Sequence, residues 1–189
     1  MRITYLHLLL GAALLLLPFG KTVQAQQIAL KTNALFLAAC TPNLETELVA
    51  GEHTSISLGV FGHKNPYGKE SKLIGVQPEY RYWFNGRPMI REYIGAALLW
   101  TSYQMHLGHK WYDGDAYGAG ITMGYVLSLG KRLNVEFYGG FGIMAFKQKY
   151  YYENDRYEEM YPDGNLQTND KGYKLLPTKL GVSISYIIK

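Results

Sequence analysis

From Ile28 to Ile188 apolar residues alternate with small or polar ones at a period of two, and only extended backbone sorts such a pattern onto two faces. The pattern persists into TKLGVSISYIIK, Thr178 to Lys189, where chain ends are ordinarily frayed and polar. A well-patterned strand in that place needs a partner on each side.

The alternation divides into eight segments. Ile28, Leu30, Thr32, Ala34 and Phe36 oppose Lys31 and Asn33. Leu44, Thr46 and Leu48 oppose Glu45 and Glu47, and Ile56, Leu58 and Val60 oppose Ser55, Ser57 and Gly59. Next, Ile74, Val76, Tyr80, Tyr82 and Phe84 oppose Gln77, Glu79, Arg81 and Trp83, with Asn85-Gly86 as a hairpin turn. A fifth strand runs from about Met89 to Tyr103, with two faces too similar to assign. Ala119 to Leu129 and Leu133 to Ile143 form the sixth and seventh. In the eighth, Leu176, Leu180, Val182, Ile184, Tyr186 and Ile188 oppose Pro177, Lys179, Gly181, Ser183 and Ser185. Eight consecutive strands, each beside its neighbour in sequence, predict an all-β up-and-down antiparallel meander, and closing it removes both edges.

The segment before this pattern reads as a secretory signal peptide over residues 1–25: a cation at Arg2, an apolar run from Leu8 to Phe19, and small residues at Val23 and Ala25. Residues 26–189 then form one domain. Without Arg2 and Lys21 the chain carries 17 Lys and Arg against 15 Asp and Glu, a balance that gives no case for nucleic-acid binding. The one cysteine, Cys40, cannot form an internal disulfide. Its setting, Leu37-Ala38-Ala39-Cys40, resembles a lipoprotein acylation box, but Lys31 and Asn33 separate it from the apolar run. It reads as a small buried or lipid-facing residue.

Alternation alone does not say which face meets which solvent: a lipocalin-like soluble carrier buries its apolar face, and an outer-membrane barrel exposes it. The polar face here has few charges and includes Gly118, Gly120 and Gly124, which suits a narrow interior better than a wetted surface. Connections at Gly51, Asn85 and Gly130 look short, whereas those after Gly62, Tyr103 and Lys147 look like loops of about nine, thirteen and twenty-six residues. Lys31, Arg81 and Lys179 can balance Glu45, Glu47, Glu79 and Glu136 inside the ring. The expected fold is therefore an eight-stranded antiparallel up-and-down transmembrane β-barrel whose lumen is filled by side chains.

Two resemblances narrow this. Lys179, Gly181, Ile184 and Tyr186 are spaced like the terminal assembly signal of outer-membrane proteins, which implies outer-membrane lipid and the barrel-assembly machinery as partners. Lys31-Thr32-Asn33, Pro42-Asn43-Leu44-Glu45, Pro78-Glu79-Tyr80-Arg81-Tyr82-Trp83, Gly124-Tyr125 and Pro177-Thr178-Lys179-Leu180-Gly181 resemble a family of uncharacterised Bacteroidota outer-membrane barrels, a domain of unknown function. That resemblance implies the outer membrane of a Gram-negative bacterium and a setting near fimbrial or surface-polymer genes, and no reaction.

No cofactor, metal or catalytic role is expected. The tyrosines Tyr150, Tyr151, Tyr152, Tyr157 and Tyr161 are the candidates for contact with surface proteins or glycans, since Tyr supplies contact area at low entropy cost. The alternative to a structural, anchoring or surface-interaction role is a lipid A hydrolase or acyltransferase at the rim, for which Ser102, His106, His109, Asp113 and Asp115 are the candidates. The same His106 and His109 with Asp113 and Asp115 form at best a weak metal set.

Overall fold

The computed structural model describes residues 27–68, 70–152 and 170–188. The segment 1–25 expected to be a signal peptide, Tyr157 and Tyr161 lie outside them. Eight strands follow in order: β1 (Ile28–Asn33), β2 (Asn43–Val49), β3 (Thr54–Lys64), β4 (Ser71–Trp83), β5 (Arg91–Leu107), β6 (Lys110–Ser128), β7 (Leu133–Tyr152) and β8 (Asp170–Ile187). Each pairs antiparallel with the next, and β8 pairs with β1 from Ala29↔Ile187 to Asn33↔Ser183, so the meander closes into a barrel. The patterned terminus is thus the strand that completes the ring. Among the described residues no helix is long and apolar enough to cross a membrane.

The period-two faces separate cleanly. Lys31, Glu45, Glu47, Ser55, Ser57, Glu79, Arg81, Glu136 and Ser183 are buried inside, while Leu30, Leu58, Tyr80, Ile121, Phe137 and Ile184 are exposed outside. On β5, undecided from sequence, Tyr93, Ala97 and Thr101 are buried and Ile94, Leu98 and Trp100 are exposed.

Several expected boundaries are corrected. The first strand stops at Asn33, and Ala34–Ala38 form a short helix, α1. The reason is a pair of asparagines. Asn43 Oδ1 accepts the Asn33 backbone N–H at 2.6 Å and its Nδ2 donates to the Asn33 carbonyl at 3.0 Å, which uses up the ladder groups. The Asn33 side chain then accepts the Leu35 N–H and caps α1. Cys40 follows α1 at a backbone φ of 51° and is exposed, neither buried nor on the apolar face of a strand.

The thirteen-residue loop after Tyr103 is instead a hairpin that turns at Gly108 and His109, paired to its tip at Leu107↔Lys110. His106 and Trp111 stack across it at 4.5 Å, and the aromatic β-formers there outweigh the Gly and Asp residues that suggested a loop. For the same reason β7 continues through Tyr152, into what was expected to be loop, and residues 153–169 of that expected loop lie outside the described residues. Asn85-Gly86 is not a two-residue hairpin: residues 84–90 connect β4 to β5. This segment folds Met89 into the ring, where it is 1% exposed and its carbonyl accepts from Asn134 Nδ2 at 3.0 Å.

The eighth strand changes phase. Gly140 pairs with Lys179 but Phe141 pairs with Pro177, so Thr178 is an extra residue, a β-bulge. Below it Lys179, Gly181 and Ser183 point inward as expected. Above it the phase reverses: Pro177 pairs with outward Phe141, and Leu176 pairs with inward Gly142.

The interior is filled in levels. Trp83, Tyr93, Val126 and Tyr138 pack together with Met89 nearby at the end where β4 meets β5, and Trp83 and Tyr93 rings lie 4.8 Å apart. Glycines on β6 and β7 let the wall come close. A Cβ on Gly142 would meet the Ala119 carbonyl oxygen at 2.1 Å and Gly120 Cα at 2.5 Å. Outward Gly139 has only Leu180 Cδ1 at 3.9 Å. Gly142→Ala is expected to destabilise by about 1–3 kcal/mol, read as a lower denaturant midpoint, whereas Gly139→Ala should leave the midpoint nearly unchanged.

Candidate functional site

Inward positions of β1, β2, β4, β7 and β8 converge on Arg81. Its Nη1 contacts Glu47 Oε2 at 2.9 Å and Glu136 Oε1 at 3.0 Å, and its Nη2 contacts Glu45 Oε1 and Glu79 Oε2, both at 2.7 Å. Lys179 Nζ reaches Glu45 Oε2 at 2.9 Å and Glu79 Oε2 at 2.7 Å. Lys31 pairs with Glu47 and Glu136. All seven residues lie in one buried, connected cluster, and none of the four carboxylates lacks a cation.

Neutral groups complete the cluster. Ser57 donates to Glu79 at 3.5 Å, Tyr93 donates to Glu136 at 2.7 Å, and Thr122 also donates to Glu79. Ser55 donates to Glu47, and its oxygen in turn accepts the Trp83 Nε1–H at 2.8 Å. The Arg81 guanidinium lies 4.6 Å from the centre of the Tyr93 ring, and the Lys179 ammonium 5.1 Å from that of Tyr138. These hydroxyls and rings belong to the site although charge counting in the sequence does not find them. Inward parity is the available signal for all of them but Tyr93, whose strand has two similar faces.

Of the terminal-strand residues singled out, Lys179 is in the cluster, whereas Ile184 and Tyr186 are outside and exposed. Gly181 is inside: a Cβ there would meet Asn33 Nδ2 at 2.3 Å and the Tyr138 hydroxyl at 2.4 Å. A side chain at this position would displace the ring that packs on Lys179. The Tyr150, Tyr151 and Tyr152 backbone belongs to β7 and pairs with Tyr112, Trp111 and Lys110, so these three are strand residues and not loop residues.

The rim candidates do not assemble. Ser102 and Asp115 are cross-strand partners, as are Gln104 and Asp113. Ser102 and His106 are four residues apart on one extended strand, about 13 Å, and so beyond hydrogen-bond reach. His106 stacks on Trp111, with Nδ1 3.5 Å from Glu70 Oε2. His109 sits in the two-residue turn. Among the described residues no group of three or more His, Cys, Asp or Glu is placed to hold a metal ion.

A different serine and histidine do meet at that rim. His63 Nε2 is 3.1 Å from Ser71 Oγ, and its Nδ1 is 2.9 Å from Thr41 Oγ1. Thr41 donates its own proton to the Ala39 carbonyl at 3.2 Å, so it accepts from His63 Nδ1–H and leaves Nε2 to accept from Ser71. Sequence reading missed this trio because its members come from the α1–β2 connection, β3 and β4, with no local motif. Only the ring brings them together.

The molecule is thus an all-β protein of eight antiparallel strands in an up-and-down ring, with an ionic interior and an apolar exterior. A family model described as protein of unknown function (DUF3575) matches residues 11–188, and the chain belongs to that family. No curated protein and no solved structure matched it.

Removing the cation at the centre of the cluster leaves buried carboxylates facing one another. Arg81→Met is expected to cost about 3–5 kcal/mol or to prevent folding. Arg81→Lys, which keeps the charge but loses the two-armed fork, should cost less. Denaturant midpoints of the two variants check the order.

Proposed function

We propose that this chain is a small outer-membrane β-barrel, exported through a signal peptide over residues 1–25, with a structural, anchoring or surface-interaction role. The observation that carries the reading is the inverted polarity of the ring: ion pairs inside, hydrocarbon outside. Leu58, Tyr80, Leu98, Ile121, Phe137, Ile143 and Leu180 are all about half exposed or more. Between Glu92 near one end and Asp115, Lys147 and Lys171 near the other, outward-facing positions among the described residues carry no charge. On β6 that uncharged run extends from Tyr117 to Leu127, about 25 Å along the barrel axis once strand tilt is included, which matches the apolar band of a barrel in a membrane. Trp100 and Tyr117 lie toward one border, and Tyr82, Tyr125 and Tyr186 toward the other, as interfacial aromatics do. A soluble carrier needs the opposite polarity. A link to fimbriae or surface polymers rests only on the Bacteroidota resemblance.

A second reading has one specific observation behind it. The Thr41–His63–Ser71 relay has the order of an orienting group, a base and a nucleophile. This favours a rim hydrolase or acyltransferase, with residues other than those suggested by the sequence.

Cell fractionation tests the first reading: the protein is expected in the detergent-soluble outer-membrane fraction, with an apparent size on gels that changes on heating. Recovery as a soluble periplasmic protein rejects it. Within the belt, Ile121→Arg should cost about 2–4 kcal/mol in lipid and little in a protein whose outer face meets water. For the second reading, a fluorophosphonate probe should label wild-type protein and not Ser71→Ala; equal labelling of both removes it.

A further inference from the structure

The wall of the ring is notched on one side. β1 and β2 are the shortest strands, and between β8 and β3 the chain continues above them only as α1 and residues 39–42. Cross-strand partners lead from Gly172 on β8 around the ring to Asn43 on β2, yet β1 meets β8 at Asn33↔Ser183, far down the same strand. Paired rows therefore descend toward β1 and β2, as strand tilt requires, and the rim there dips below Tyr117 into the uncharged outer band. A cavity of about 220 Å³ occupies this notch. Its lining crosses the wall: Phe61, Leu99 and Tyr138 belong to the interior, whereas Leu44, Val60 and Leu180 belong to the apolar exterior and are about half exposed or more. The space joins the inside of the ring to its outer face.

A break in strand pairing ordinarily leaves backbone N–H and C=O groups bare, which hydrocarbon does not tolerate. Here side chains answer them. Asn43 holds the N–H and the carbonyl of Asn33, Asn33 Nδ2 donates to the Leu180 carbonyl at 3.1 Å, and Gln77 Nε2 donates to the Thr178 carbonyl at 2.9 Å. Pro177 has no N–H to leave bare. The same bonds occupy groups that an added strand would need. Across the gap α1 forms a lintel: Phe36 packs edge-on against Phe61 with ring centres 5.2 Å apart, while Leu35 and Leu37 are exposed.

We propose that this notch admits one acyl chain of a membrane lipid from the outer face into the ring, where the chain lies against Phe36, Phe61 and Leu99. The inference rests on the outer-membrane reading, in which Leu44, Val60 and Leu180 are surrounded by lipid chains. The lining matches that occupant. Glu45 and Lys179 at its floor are bound to each other at 2.9 Å and to Arg81 and Glu79 at 2.7 Å, so they do not call for an ionic guest. The hydrocarbon side chains offer water no hydrogen bonds. The volume is below the roughly 300–1,000 Å³ of a site that encloses a whole drug-sized ligand, so a single chain enters and its headgroup stays outside.

The test places the photocrosslinker p-benzoylphenylalanine at one position of the full-length chain, folded in vesicles of phosphatidylethanolamine and phosphatidylglycerol. Replacing Phe137, on the outer band, reports contact with lipid; replacing Phe61, or Leu99 where the first variant does not fold, reports the interior. Illumination is expected to add the mass of a phospholipid at the outer and the inner position alike, and alkaline hydrolysis of the inner adduct should leave a fatty-acyl mass on the protein. Gly59→Leu, whose Cβ would meet nothing nearer than 3.6 Å, fills the cavity floor. It should abolish the inner adduct and leave the outer one unchanged. An adduct at Phe137 with none at Phe61 or Leu99 would overturn the proposal and leave the membrane reading standing, as would an inner adduct that survives Gly59→Leu. No adduct at Phe137 would overturn both.

Discussion

The guanidinium of Arg81 is the group on which the rest of the molecule is organised. It touches four carboxylates from β2, β4 and β7, and Lys31 on β1 and Lys179 on β8 extend the same cluster to the two closing strands. A planar donor with two arms can serve several carboxylates at once, which an ammonium cannot do as well. Because the side-chain period of a strand is two, sliding any of these strands by one residue would eject its charge to the outside and bring hydrocarbon in. The cluster therefore defines register across the ring. Backbone pairing alone would accept many registers.

The same cluster determines what the interior is not. Eight strands enclose only enough room for side chains, and here Arg81, Trp83, Tyr93, Glu47 and Glu136 occupy it with almost no exposure. Met89 closes one end through a backbone bent into the left-handed region, at φ 68°. A continuous aqueous channel has no path through these two levels. Among the described residues, the space over Glu45 and the rim above it remain open.

Strand identity and, except on β5, facing were legible because alternation is a local signal repeated along the chain, and the seven charged residues of the cluster could be named from their parity alone. What was not legible required a side chain to reach across the ring or to compete with the ladder. Asn43 takes over the backbone groups of Asn33 from another strand, so nothing within Ile28 to Phe36 marks the end of β1. Trp111 holds its hairpin together by stacking on His106, and composition read as a loop cannot anticipate a cross-strand pair. The bulge at Thr178 inserts one residue without breaking the visible pattern, since Leu176 to Leu180 are mixed in character on either phase. The His63 relay is likewise invisible in sequence: Thr41, His63 and Ser71 share no spacing, only a place on the rim.

The lengths of the strands carry the last step. β1 and β2 span six and seven residues, while β6 and β7 span nineteen and twenty, so one side of the wall stands well above the other. The uncharged outer band ends near Trp100 and Tyr117, and the taller strands continue beyond it with Asp113, Asp115, Lys147 and Lys149 as cross-strand partners on their outer positions. Charges that would be expensive against hydrocarbon are inexpensive in water, so this upper portion fits an aqueous surface standing clear of the belt. On the low side α1 leans toward β8 and covers the cavity, and the His63 relay lies at its edge. In the membrane reading, the large exposed surface of the tall strands and the rim of the short ones lie on the same face of the bilayer.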